Sequence, residues 1–294
     1  MILLCDVAAS AGVFDRLPGS AGDVAAGTAL EPHALRVILD ALVTVGVVER
    51  EADGGYALGP GAPGPEATAS IRHHARALRR WAAGLEARLS GEPADDPAGR
   101  ADPELFHDAL AANARRAAPE VANACLERFP GARSVFDLGG LHGEYSLEFT
   151  RRGLRVTMQD QPAMVEVARR RGGLEAAGVE LFEGDFFETV PKGPFDLAFC
   201  SGITHTFDGD RNLGLYRNLR AVVSPDGGAA VVTFLRGRDP LTALFAVQML
   251  LNANGGNTHT VAEYRAWLGE AGFTVDQSVL DLPDQGARSV LFAS

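Results

Sequence analysis

Cysteine is scarce, with Cys5, Cys125 and Cys200 the only three in 294 residues. They form no CxxC pair and no ligand cluster, so neither a disulfide framework nor a zinc site is expected. A reducing, cytoplasmic setting fits that usage. Long apolar runs are also missing, since none reaches the ~18 residues of a membrane span. The first residues, Met1-Ile2-Leu3-Leu4-Cys5-Asp6, carry no basic segment, so no cleaved leader is expected. Basic charge is in deficit: 27 Lys+Arg face 38 Asp+Glu, a net charge of −11. That balance argues against a broad nucleic-acid or anionic-membrane surface. No carboxylate cluster of the kind that holds magnesium is assembled, so no metal is expected.

What remains is ordinary globular material, 46% hydrophobic and 22% charged, long enough for about two domains. GPGAPGP at 59–65 and SGEPADDPAGRADP at 90–103 read as linkers, rich in helix breakers and without apolar period. The expected division is an N-terminal unit with a connecting helix over 1–89, a linker over 90–103, and a second domain over 104–294.

In the first unit an apolar helical run reaches Phe14, and a small-residue helix covers 20–29. An amphipathic helix follows over 31–48, with Pro32 in its first turn and Leu35, Ile38, Leu39 and Leu42 on one face. Two short strands around Asp53-Gly54-Gly55 complete a winged-helix pattern. Residues 1–65 hold eight acids against three bases, net −5. A helix bearing Arg36 with Asp40 one turn later neutralises few phosphates, so packing or dimerisation is expected of this unit rather than DNA binding.

The second domain alternates strand and helix signals. Strands are expected at 134–138, 154–159, 179–182, 195–200, 229–234, 274–280 and 289–293, with helices such as 162–172, 211–223 and 261–271. This predicts an α/β fold, a Rossmann-like doubly wound sheet of seven strands. Only residues 281–288 separate the last two strands, too few for a helical crossover, so that pair should be antiparallel.

The chemistry-bearing residues gather at strand ends, where such sheets bind ligands. SVFDLGGLHGEYS at 134–146 ends a strand in an acid and a glycine turn that opens a helix. Gly139, Gly140 and Gly143 permit close approach of a ligand to the backbone. Asp160 ends the next strand, placed to accept from both ribose hydroxyls; a helix N-cap before Pro162 is its other reading. Glu183-Gly184-Asp185-Phe186-Phe187 ends the third strand, a carboxylate beside a ring that suits adenine, although turn and core roles also explain it. Together these ends point to an adenosine ligand.

The segment 135–160, GDFFETVP at 184–191, SPDGG at 224–228 and AEYRAWLGEAGF at 262–273 resemble class I S-adenosylmethionine-dependent methyltransferases. More narrowly, they resemble the small-molecule O-methyltransferases of caffeate, hydroxyindole and polyketide type, whose winged-helix dimerisation domain the N-terminus matches. The resemblance implies a small, aromatic acceptor from specialised metabolism and a homodimer. It implies cofactor contacts from Arg115, Asp137, Gly139, Gly140, Gly143, Asp160, Gln161, Gly184, Asp185, Phe186, Cys200 and Ser201. It places His205 on the family's general base, an imidazole suited to take a phenolic proton. Phe245, Met249, Asn252, His259 and Trp81 fall where relatives line the acceptor pocket, although core packing or an exposed loop also explains them. Relatives run longer, with extra chain expected before Met1 and around 90–103.

The sequence departs from the family pattern in three ways, at four positions. Leu141 stands for a third glycine, Thr233 and Thr258 stand for the two glutamates that flank the histidine, and Thr206 stands for the following aspartate. A histidine without carboxylate partners should be a weaker base. That leaves open an acidic phenol, an amine or carbon acceptor, or cofactor binding without methyl transfer.

Overall fold

The computed structural model describes residues 1–26, 28–92, 103–252, 255–282 and 287–294. Most of the expected linker at 90–103 lies outside the described residues. The chain divides into two compact units, Met1–Arg79 and Arg80–Ser294.

The first unit holds α1 (Ile2–Ser10), α2 (Ala21–Ala26), α3 (Pro32–Thr44), β1 (Val48–Arg50), β2 (Tyr56–Leu58) and the start of α4 (Pro65–Leu89). Pro32 opens α3, and the Glu31 carboxylate accepts the N–H groups of His33 and Ala34 at 2.9 and 2.7 Å. These are two of the donors that a helix start leaves without partners. The helix buries Leu35, Leu39 and Leu42 on one face, packed with Val24, Val48 and Tyr56. It stops before the expected residue 48 because Gly46 takes a left-handed φ of +73°, and Val48 then enters the hairpin. Asp40 accepts from the Tyr56 hydroxyl at 2.7 Å and pairs with Arg50, tying helix to hairpin.

The second unit continues from the end of α4 through α5 (Pro103–Arg128), β3 (Ser134–Leu138), α6 (Glu144–Arg151), β4 (Arg155–Asp160), α7 (Pro162–Arg171) and β5 (Val179–Glu183). Then come β6 (Phe195–Ser201), α8 (Gly209–Val222), β7 (Val223–Phe234), α9 (Pro240–Asn252), α10 (Val261–Glu270), β8 (Val275–Leu282) and β9 (Arg288–Ala293). The seven strands order as β5-β4-β3-β6-β7-β9-β8. The first five are parallel, and β9 runs antiparallel to both β7 and β8.

Alternation along the strands divides the core between the two faces. Val135, Leu197, Phe199, Val232 and Val290 pack with Val121 and Cys125 of α5 and Phe149 of α6. Phe136, Leu138, Ala198, Val231 and Leu291 pack with Leu215 and Leu219 of α8 and Tyr264 and Leu268 of α10. Each large apolar side chain buried this way contributes about 1.5–3 kcal/mol.

One strand starts earlier than expected. β7 takes in the SPDGG stretch, with Val223 opposite Phe195, and the register then shifts to Gly228 opposite Leu197. A Cβ at Gly228 would stand 2.3 Å from the Phe129 ring and 2.5 Å from the Ala293 carbonyl, so the glycine lets the irregular strand pass between them. Among the described residues, no helix is long and apolar enough to cross a membrane, and no group of three metal-ligating side chains is assembled.

Candidate active site

Strand order reverses between β3 and β6, so their carboxyl ends diverge and leave a crevice at the topological switch point. The turn after β3 enters it. Gly139 and Gly143 take φ of +73° and +70°. A Cβ at Gly140 would meet Met158 at 2.3 Å and Asp137 Oδ2 at 2.9 Å. The turn is a bare backbone cradle that no side chain could replace. Leu141, inside it, is forced to a φ of +44°, a conformation costing an L-residue roughly 1–2 kcal/mol. The strain is held in place because its side chain is buried and its N–H donates to Asp160 Oδ2 at 2.8 Å.

Two carboxylates line this turn. Burial pushes the Asp137 carboxyl up to about 7, against the opposing pull of the Ser146 hydroxyl, which donates to it at 2.5 Å; the nearby charge of Asp160 adds to the rise. Asp160 is also raised by burial, while the N–H groups of Gln161 and Leu141 oppose that shift. Its contact with the Gln161 N–H spans 2.7 Å. Gln161 is the N-cap residue of α7, and no side chain caps that helix, so the N-cap reading of Asp160 is corrected. Instead, Asp160 fastens the glycine turn to the end of β4. A buried acid pair beside an open backbone cradle fits a ligand that brings hydroxyl donors and a positive charge. Arg115 on α5 reaches the same turn and donates to Glu144 Oε1 at 2.7 Å, at the first residue of α6.

At the end of β5, Gly184 has a φ of +153°. Asp185 accepts from the Phe187 N–H at 2.9 Å, shaping the turn. Phe186 is buried, its ring 5.0 Å from Phe187 and 6.0 Å from Phe207. Cys200 is fully buried, and burial raises its thiol. Ser201 lies beside the Tyr145 hydroxyl of α6 and eases its ionisation against the larger opposing effect of burial.

His205 lies in a single 3-10 turn, Thr204–Thr206, after β6. Its ring is 6% exposed and packs edge-on to Phe245 at 4.8 Å and Phe234 at 5.8 Å. Among the described residues its Nδ1 is buried with no hydrogen-bond partner. Burial lowers its pKa to about 3, with the charges of Arg288 and His259 adding to the effect. The imidazole is therefore neutral at physiological pH. The two threonines at the expected glutamate positions are turned elsewhere. Thr233 bonds to Tyr264 at 3.0 Å and Thr204 at 3.3 Å, and Thr258 donates to the Thr242 carbonyl at 3.1 Å.

Of the expected acceptor-pocket residues, Phe245 meets His205 directly, and Met249 is buried one turn further along α9. Asn252 is exposed at the end of that helix. Trp81 on α4 is half-buried with its Nε1 enclosed and unbonded. Nearby on α4, Arg88 donates to the Leu250 carbonyl of α9 at 2.9 Å. The exposed-loop reading of His259 is corrected. The ring is 4% exposed, its Nε2 is bonded to the Phe207 carbonyl at 2.9 Å, and it stands edge-on to Trp267 at 4.9 Å. A parallel bridge between Leu235 and His259 draws this loop into the core.

The sequence reading missed Tyr145, Phe234 and Arg288, which border the same crevice. Tyr145 stands in the quoted glycine motif but on the first turn of α6; Phe234 and Arg288 sit in no motif, and their position follows from sheet register, in which they lie opposite each other.

A family model described as an O-methyltransferase domain matches residues 100–274. The chain is 31% identical to 3-amino-4-hydroxybenzoate 4-O-methyltransferase of Streptomyces cremeus, over 94% of this chain and 82% of that protein. It is 31% identical to mitomycin biosynthesis 6-O-methyltransferase of Streptomyces lavendulae, a match spanning 63% of this chain and only about half, 53%, of that relative. The structure of mitomycin 7-O-methyltransferase superposes with a TM-score of 0.84 at 27% identity, covering 99% of this chain and 93% of that one.

Proposed function

This chain belongs to the O-methyltransferase family, whose members use S-adenosylmethionine, and from that membership we propose that it methylates a hydroxyl of a small aromatic metabolite. When bound, the cofactor supplies an electrophilic methyl group carried on a sulfonium. The glycine turn with Asp137 holds its amino-acid end, with Arg115 at its carboxylate. Asp160 and Gln161 hold the ribose; Gly184, Asp185 and Phe186 hold the adenine; and Cys200 and Ser201 close the floor. His205 takes the acceptor's proton on its neutral imidazole, and Phe245, Met249 and Phe234 give the acceptor ring an apolar wall.

The observation that carries this reading is the unbonded Nδ1 of His205, buried within an aromatic box at the carboxyl end of β6. A buried nitrogen without a partner is costly, and an acceptor hydroxyl relieves it. Because no carboxylate supports the ring, it is a weak base, and the acceptors it serves best are acidic hydroxyls. The 3-amino-4-hydroxybenzoate named for one relative is a hydroxylated aromatic of that general kind.

Incubation with methyl-labelled cofactor and a panel of phenols, hydroxybenzoates, indoles and aromatic amines tests this. The expected product carries label on a phenolic oxygen. Label on a ring carbon or an amine nitrogen would instead support the second reading, which the displaced Thr233 and Thr258 favour. Binding of S-adenosylhomocysteine without label transfer to any acceptor would defeat both.

A further inference from the structure

His205 sits in a single 3-10 turn, a geometry whose own hydrogen bonds are poor. Its closing bond, from the Phe207 N–H to the Thr204 carbonyl, spans 3.4 Å. Partners from elsewhere in the fold hold the turn. Asn212 of α8 donates from Nδ2 to the carbonyls of Thr204 and Phe207 at 3.0 and 3.2 Å. The Asn257 N–H donates to the His205 carbonyl at 2.9 Å, and His259 Nε2 donates to that of Phe207 at 2.9 Å. Thr258, between those two residues, ties their loop to the Thr242 carbonyl of α9.

Three hydroxyls complete this mount. Thr204 donates to Thr233 of β7 at 3.3 Å, Thr233 lies 3.0 Å from the Tyr264 hydroxyl of α10, and Tyr264 lies 2.8 Å from Thr204. All three residues are fully buried. With Thr233 donating to Tyr264 and Tyr264 to Thr204, the ring closes, and each hydroxyl gives one bond and takes one. Each bond polarises the next, and deleting one member leaves a buried hydroxyl without its partner.

β7 therefore acts on His205 twice. Successive strand residues face opposite ways, so Thr233 enters the hydroxyl ring while Phe234 stands edge-on to the imidazole at 5.8 Å. The imidazole Nδ1 itself has no hydrogen-bond partner among the described residues. The side chain is aimed through the backbone that carries it and through aromatic packing, not through a bond to Nδ1. A base aimed in this way depends on a rigid mount, because a misplacement of about 1 Å can cost a hundredfold in rate.

We propose that Thr233 and Tyr264 are positioning residues for methyl transfer. Closed into a ring with Thr204, their hydroxyls hold the turn so that His205 meets the acceptor hydroxyl without a carboxylate behind it. The proposal rests on the reading of His205 as the base and names what stands in for the carboxylates that are missing at Thr233 and Thr258.

The test measures kcat and KM of the full chain on an alkylphenol and on 4-nitrophenol, with and without His205. Thr233→Val and Tyr264→Phe keep the shape and remove one hydroxyl each. On the alkylphenol each should lower kcat about tenfold, with KM changed by less than about twofold. Thr233→Ser should restore most of the loss. On 4-nitrophenol, which is largely ionised before it binds, the loss should be under about twofold. In the His205→Ala background neither substitution should cost more than about twofold further, because their effect runs through the missing ring. S-adenosylhomocysteine affinity should stay within about threefold throughout, which shows that the variants fold.

Unchanged kcat in both variants overturns the proposal. So does the same fractional loss with and without His205, or an equal loss on both phenols, since either marks a structural role alone. Loss of S-adenosylhomocysteine binding in both variants assigns the hydroxyl ring to the fold and overturns it too. A costly His205→Ala beside a harmless Thr233→Val and Tyr264→Phe removes the positioning role and leaves the base standing. A harmless His205→Ala on the alkylphenol, or no turnover of any phenol, removes the base reading and the proposal with it.

Discussion

Asp137 and His205 are both displaced from ordinary ionisation by the same cause, burial: near pH 7 His205 is neutral and Asp137 keeps its proton about half of the time. For Asp137 the folded value of about 7 lies above the ~3.9 of a free aspartate. Between those values the folded protein binds a proton that the unfolded chain does not, so this residue's contribution to stability is greatest at low pH and declines as pH rises through 7. A ligand ammonium beside it reverses the preference and expels the proton. Calorimetry of S-adenosylhomocysteine binding at pH 6, run in buffers of different ionisation heat, should therefore report release of close to one proton. Asp137→Asn should release none; buffer-independent heats in the wild type would contradict this assignment.

The turn between β3 and α6 shows how one departure from the family pattern is accommodated. Leu141 keeps a left-handed backbone because Asp160 holds its N–H and its side chain is buried. Leu141→Ala and Leu141→Gly should each lose about 2–4 kcal/mol from the vacated space. The glycine variant should be the more stable by about 1 kcal/mol, because only glycine enters this region freely. Denaturant unfolding of the pair measures that difference, and equal stabilities would show that the turn is unstrained.

Much of this architecture was legible beforehand. β3 has the expected limits, the other strands start or end close to expectation except at Val223, and the final pair is antiparallel. Those features follow from local alternation and turn residues. What escaped depends on distant partners. The SPDGG stretch joins β7 because Val223 pairs with Phe195, and His259 is buried because its loop bridges Leu235. Arg288 reaches the crevice only through the register of β9 on β7. The glycine turn was visible because it coincides with acids at the ends of the next two strands, and His205 because the family resemblance places it on a general base. The aromatic box was not, because its members come from β7, α9 and the turn after β6.

At the scale of the whole molecule, the 215 residues Arg80–Ser294 of the second unit bring every group invoked for chemistry to one edge of one sheet. The net charge of −11 is not repeated there, where Arg115 and Arg288 border a crevice whose buried acids and histidines tend toward neutrality. The account's central claim is that an unsupported, neutral His205 serves methyl transfer to a hydroxyl acidic enough to need little help. The direct test is kcat/KM of wild type and His205→Ala on a weakly acidic alkylphenol and on a strongly acidic nitrophenol. We expect the substitution to cost about a hundredfold on the alkylphenol and less than about fivefold on the nitrophenol. Full activity of His205→Ala on both, or an equal loss on both, would contradict the claim.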